Sequence, residues 1–170
     1  MQSECEVSNI IRKEEVSPLT LILKSQTICI QEVKSLAEII NQNNNTEEKI
    51  MAIQRLITLI NGGALNFKYF TNNLSLLISG IISSIQSVDV DLVKHSNALI
   101  VLISRNLGKK SEKILGNKII SILVEQTMNK SKEISDSCKF SLLNIARYWQ
   151  TKNILLILCD LSTSQLAYHC

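Results

Sequence analysis

The sequence predicts an all-α protein built from antiparallel helix pairs stacked into a solenoid. Three observations carry this. Hydrophobic residues make up 45% of the 170-residue chain with few aromatics, so Leu and Ile do the packing. There are 5 glycines and Pro18 is the sole proline, too few turn residues for a strand-rich fold. Apolar residues recur at the i, i+3, i+4 spacing of helices, and polar breaks return roughly every 43 residues.

Residues 1–25 are set apart as an N-terminal segment. "SNIIRKEE" suits a helical turn or two, Pro18 resets the chain, and "LTLILK" suits a short helix or an extended stretch. The domain proper is read as residues 26–170. From Thr27, Ile30, Val33, Leu36, Ala37 and Ile40 make one helical face. "NQNNN" ends it, and Thr46 is the expected N-cap, with Glu47 and Glu48 in the first turn. The next helix buries Ile50, Ile53, Leu56, Ile57 and Ile60, and "NGG" stops it.

A long apolar helix is expected next, carrying Phe70, Leu74, Leu77, Ile78, Ile81 and Ile85, broadened by Leu76 and Ile82. In "SVDVDLVKHSNALIVLISRNLG", Ser87, Asp89 and Asp91 are alternative caps. Leu92, Ala98, Leu99, Leu102 and Ile103 face inward, and Leu107-Gly108 closes the helix. "KKSEK" opens a helix with Ile114, Leu115, Ile119, Ile122 and Leu123. "MNKSKEISDS" breaks it, and a further helix uses Ile134, Cys138, Leu142, Ile145 and Ala146. A last helix starts near Lys152.

The breaks "NNNT", "VDVD" and "NKSKE" each fall within a helix pair, so they share one edge of the stack. "NGGALN" and "NLGKKSE" lie on the other. A period of about 43 residues with two helices per unit is in the range of HEAT and armadillo repeats, giving roughly three and a half repeats.

Five segments resemble the TOG domains of the CLASP class, HEAT-repeat modules that bind tubulin. "QEVKSLAEIINQNNNTEEKIMAIQRLITLI" is similar to the first repeat, with Lys49 and Ala52 in its basic and small slots. "DLVKHSNALIVLISRNLG" is similar to the second-repeat helix through Val93, Lys94 and Ser96. "ILGNKIISILVEQT" and "KSKEISDSCKFSLLNI" resemble the two helices of the third repeat, with Lys132 in the basic loop slot. "ILLILCDLSTS" resembles the start of a fourth.

The resemblance implies a non-catalytic module that meets tubulin or microtubules through loops 41–46, 86–91, 129–132 and 162–164. The implied contact residues are Asn45, Thr46, Lys49, Asp91, Leu92, Lys94, Lys130 and Lys132. Basic residues there would steer an acidic partner. It also implies a cytoplasmic, cytoskeleton-associated protein. Two departures stand out: TOG domains usually carry a Trp in the first loop, where this chain has Thr46, and Asp89 and Asp91 would repel an acidic partner unless they only cap a helix. The alternative is a generic HEAT or armadillo scaffold that binds another protein through its concave face or its end. Because the sequence stops within a fourth repeat, either it is a fragment or that end is covered, with self-association as one route.

The other classes find little support. A net charge of +3 with scattered Lys and Arg argues against nucleic acid, and the run Lys109, Lys110, Lys113, Lys118 reads as a solvated face. No apolar run is long enough for a membrane helix, and no signal-peptide pattern is present. Cys5, Cys29, Cys138, Cys159 and Cys170 show no metal-ligand spacing, and Cys29, Cys138 and Cys159 read as small core residues. His95, with only His169 as a second histidine, has no nucleophile or phosphate-loop motif near it. No cofactor, metal or catalytic residue is expected, and Trp149, Tyr69 and Phe70 are expected to pack in the core or at its boundary.

Overall fold

A computed structural model describes residues 26–42 and 45–149, and these are all-helical, with no strand among them. Seven α-helices follow in order: α1 Gln26–Asn41, α2 Thr46–Asn61, α3 Lys68–Asn73, α4 Ile78–Ile85, α5 Val90–Leu107, α6 Lys110–Gln126 and α7 Lys132–Trp149. Short 3-10 turns at Ala64–Asn66 and Leu74–Leu77 flank α3. The segments read before Gln26 and after Trp149 lie outside the described residues, as do loop 162–164, His169, Cys5, Cys159 and Cys170.

Three helices, α2, α5 and α7, start where a side chain satisfies the first backbone N–H groups. The cap of α2 is Asn45 rather than Thr46. Its Oδ1 accepts from the Glu47 N–H at 3.1 Å, and Thr46 becomes the first helical residue. Asp89 caps α5, accepting from Leu92 N–H at 2.8 Å, which leaves Asp91 exposed in the first turn. Before α7, Asn129 Oδ1 accepts from Ser131 N–H and Ser131 Oγ accepts from Ile134 N–H.

The long apolar helix expected to carry Phe70 through Ile85 is broken. Asn41, the last residue of α1, donates from Nδ2 to the carbonyl of Leu76 at 2.8 Å, drawing that oxygen toward a neighbouring helix. The chain there tightens into the 3-10 turn Leu74–Leu77 before α4 begins. A side chain reaching into the backbone ladder is a physical cause of such breaks. The apolar stripe survives it: Phe70, Leu74, Leu77, Ile81 and Ile85 are all buried.

A second irregularity lies in α6. Gly116 has φ 68° and ψ 170°, a conformation essentially reserved for glycine, and it kinks the helix. The pattern of apolar residues runs through this point without a break, so only the glycine itself signals it.

The helices pack in two rows. In one, α2 lies against α5 and α5 against α7. In the other, α1 lies against α3 and α4, and α4 against α6. The rows join where α1 meets α2, α4 meets α5 and α6 meets α7. Helix α5, in the middle, is buried around most of its girth from Leu92 to Ser104. Ser96, a small polar residue buried within it, satisfies itself: its Oγ donates to the Leu92 carbonyl one turn back. Trp149 and Phe70 are fully buried, whereas Tyr69 is half-buried and stacks on Phe67 with ring centroids 5.2 Å apart.

Candidate partner-binding edge

Polar ties across the row α2–α5–α7 fix how its helices lie. Gln54 on α2 meets His95 on α5, 41 residues on. Lys94 on α5 meets Glu133 on α7, 39 residues on, and Asn97 meets Ser137, 40 residues on. The two ties between α5 and α7 ascend together, Lys94 to Glu133 and then Asn97 to Ser137. These two helices therefore run side by side in the same direction. Their N-terminal loops, 86–91 and 129–132, come to the same edge.

Of the expected contact residues, some are exposed and others are withdrawn. Asn45, Asp91, Lys130 and Lys132 are exposed and Thr46 is half-buried. Leu92 is a core residue at 3% exposure. Lys49 and Lys94 do not stand free in solvent as an outward basic edge would require: each keeps 7% of its surface exposed. Lys94 Nζ lies 2.8 Å from Glu133 Oε2, and that carboxylate offsets its charge. The cations of this edge are thus concentrated in the third loop. The sequence did not flag Val88, which is 94% exposed at the tip of loop 86–91, or Met128, half-exposed beside Lys130. A valine next to Asp89 is visible in "VDVD", where the alternation reads as capping.

His95 has both ring nitrogens engaged. Nδ1 lies 2.8 Å from the Asp91 carbonyl, which can only accept, so Nδ1 carries the proton. Nε2 then accepts from the Gln54 amide at 3.0 Å. The ring joins two helices and has no free nitrogen aimed into a cleft. Among the described residues, no three His, Cys, Asp or Glu side chains gather in a metal-binding group.

Deeper along α5, Asn97 Nδ2 donates to Ser137 Oγ at 2.8 Å and to Cys138 Sγ at 3.4 Å, all in full burial. Burial pushes the Cys138 thiol up to about 11, with the Asn97 bond a smaller opposing influence. The thiol stays protonated and is no nucleophile at neutral pH. Cys29 is raised by burial too, and next by the nearby Glu32 carboxylate.

On the opposite flank, an open cleft of about 440 Å³ runs along α1, lined by Lys34, Ala37, Glu38, Asn41, Gln42 and Leu76. Its lysine and glutamate are on one exposed helix face, and it holds no buried convergent polar group of the kind a catalytic pocket needs. No helix among the described residues is long and apolar enough to cross a membrane. Compared with known proteins, the chain matches no family model and no curated protein.

Proposed function

We propose that the chain is a non-catalytic, HEAT-type protein-binding solenoid that engages its partner along the edge formed by the N-terminal ends of α2, α5 and α7. The observation that carries this reading is the set of lateral ties at a spacing near 40 residues. With it go helix caps at Asn45, Asp89 and Ser131, again roughly 43 residues apart. Repeats of that length stack successive helix pairs, and the loops within pairs then share an edge.

The proposed partner is tubulin or the microtubule, which places the protein at the cytoskeleton. Contact on this reading is made by Lys130 and Lys132 in the third loop and by Val88 at the tip of the second. Lys49 and Lys94 shape the helices behind the edge. The burial of those two lysines favours a second reading, a HEAT-type scaffold for a different protein partner, because it leaves only Lys130 and Lys132 of the four expected cations exposed to meet an acidic surface.

Co-sedimentation with microtubules at low and at moderate salt separates the two. Tubulin binding predicts a salt-sensitive pellet fraction that Lys130→Glu with Lys132→Glu reduces strongly. A folded protein that stays in the supernatant at low salt sinks the tubulin reading and leaves the scaffold reading standing.

A further inference from the structure

The opposite edge of the same helices carries a second surface. There α5 ends, Gly108 turns the chain, α6 begins and α7 ends. The carbonyl oxygen of Tyr148 lies 3.7 Å from where a Cβ on Gly108 would sit, so the last turn of α7 abuts this corner. Arg105 is in the last turn of α5, Arg147 in the last turn of α7, and Lys109, Lys110 and Lys113 span the first turn of α6. A helical turn rises about 5.4 Å, so these five backbones lie within roughly 10 Å of the corner.

All five side chains are exposed, and none is ion-paired with a described residue. The one acid interleaved with them, Glu112, is half-buried. On a chain with a net charge of only +3, this corner concentrates five cations against the single interleaved acid Glu112. Charges about a Debye length apart or closer, roughly 8 Å at physiological salt, add their potentials. Two of the five are helix-end arginines that complement the negative C-terminal dipoles of α5 and α7. The three lysines gain nothing from their place at the N-terminal end of α6, where the dipole disfavours them. Helix stability therefore does not account for them.

The surface is not purely charged. Leu143, one turn before Arg147 on the same face of α7, is 57% exposed. Among the described residues no exposed aromatic ring adjoins the cluster: Trp149 is buried and Tyr148 half-buried. A single-stranded nucleic acid would want a stacking platform here, and a duplex would want a longer row of cations. A short acidic protein segment needs only carboxylates and an apolar side chain.

The geometry points to this corner as a docking site for an acidic protein segment, with Arg105, Lys109, Lys110, Lys113 and Arg147 meeting its carboxylates and Leu143 an apolar side chain. The site is separate from the loop edge and stands whether or not that edge binds tubulin.

The test is fluorescence anisotropy with a labelled glutamate-rich peptide containing a leucine pair, run beside a labelled oligouridylate of equal charge, at several salt concentrations. The expected result is salt-sensitive binding of the peptide in preference to the oligonucleotide. Lys109→Glu with Lys110→Glu and Lys113→Glu should weaken it roughly tenfold or more. Leu143→Ser should weaken it by a smaller factor without changing the salt dependence. Lys130→Glu with Lys132→Glu should leave it unchanged. Circular dichroism on each exposed-residue variant checks that the fold is retained. Absence of peptide binding at low salt, equal or tighter binding of the oligonucleotide, or an equal loss on reversing Lys130 and Lys132 would each overturn the proposal.

Discussion

Gly80→Ala is the most informative single substitution for the packing of the two rows. Gly80 lies on α4 against the C-terminal end of α1. A Cβ at this position would come within 2.6 Å of Ile40 Cγ2, and within 2.7 Å of both the carbonyl carbon and the carbonyl oxygen of Ile40. Carbon atoms pack best at about 3.5–4.0 Å, so the overlap is about 1 Å. Part of it is with backbone, which no rotamer change relieves. Alanine regains about 1 kcal/mol of helix propensity over glycine. Overpacking costs about 1–3 kcal/mol and sometimes more, and a backbone clash belongs at the upper end. The expected net loss is about 2 kcal/mol, or a fall in Tm of roughly 4–8 °C for a domain of this size. Urea unfolding followed by far-ultraviolet circular dichroism measures it. Because the backbone contact remains, adding Ile40→Ala should not rescue the variant in a double-mutant cycle. A Gly80→Ala protein as stable as the parent, or one restored by Ile40→Ala, would refute the close approach.

Other consequences are equally concrete. At Gly116 a Cβ meets nothing within 4 Å, so Gly116→Ala should cost about 1–3 kcal/mol through backbone strain alone, read by the same unfolding curves. The Cys138 thiol, ordinarily near 9.0, is held up to about 11 in the fold, so the unfolded chain loses its proton first as pH rises. Stability should therefore fall between about pH 9 and pH 11, by up to roughly 3 kcal/mol, and Cys138→Ala should flatten that part of the pH–stability curve. Glu133→Gln should cost about 1 kcal/mol, because its side chain is 64% exposed while that of Lys94 is 8% exposed. Lys94→Met should restore most of that loss in the Glu133→Gln background, measured by chemical denaturation. Trp149, the single tryptophan, is 1% exposed, so its emission should be blue-shifted and poorly quenched by acrylamide until the protein unfolds.

The helices were legible because their cores obey the 3.6-residue period. Val33, Leu36, Ala37 and Ile40 on α1, and Leu99, Leu102 and Ile103 on α5, are buried as their spacing implies. The features that spacing missed are those decided by a residue far along the chain. The break at Leu74–Leu77 goes with the side chain of Asn41, and no local pattern reports it. Lys94 looked like a solvent-facing lysine until Glu133 was brought beside it. Ile30 sat on the expected stripe, yet Cys29 takes the fully buried place and Ile30 only half of one. For the candidate edge, the loop positions were readable from polar breaks. The exposure of each side chain was not, since it depends on how neighbouring helices are offset.

The ties Gln54–His95, Lys94–Glu133 and Asn97–Ser137 have a mechanical consequence. Helices packed only by Leu and Ile present a corrugated but forgiving surface, over which one can slide with gradual loss of contact. Here any slip of α7 along α5 by a turn, about 5.4 Å, breaks both of their ties at once, one of them deep in the core. The alignment of this row is thus discrete rather than continuous. Shear along the helix axes should meet stiff resistance and then release abruptly, and until that point whatever is held at one edge stays at a fixed distance from whatever is held at the other.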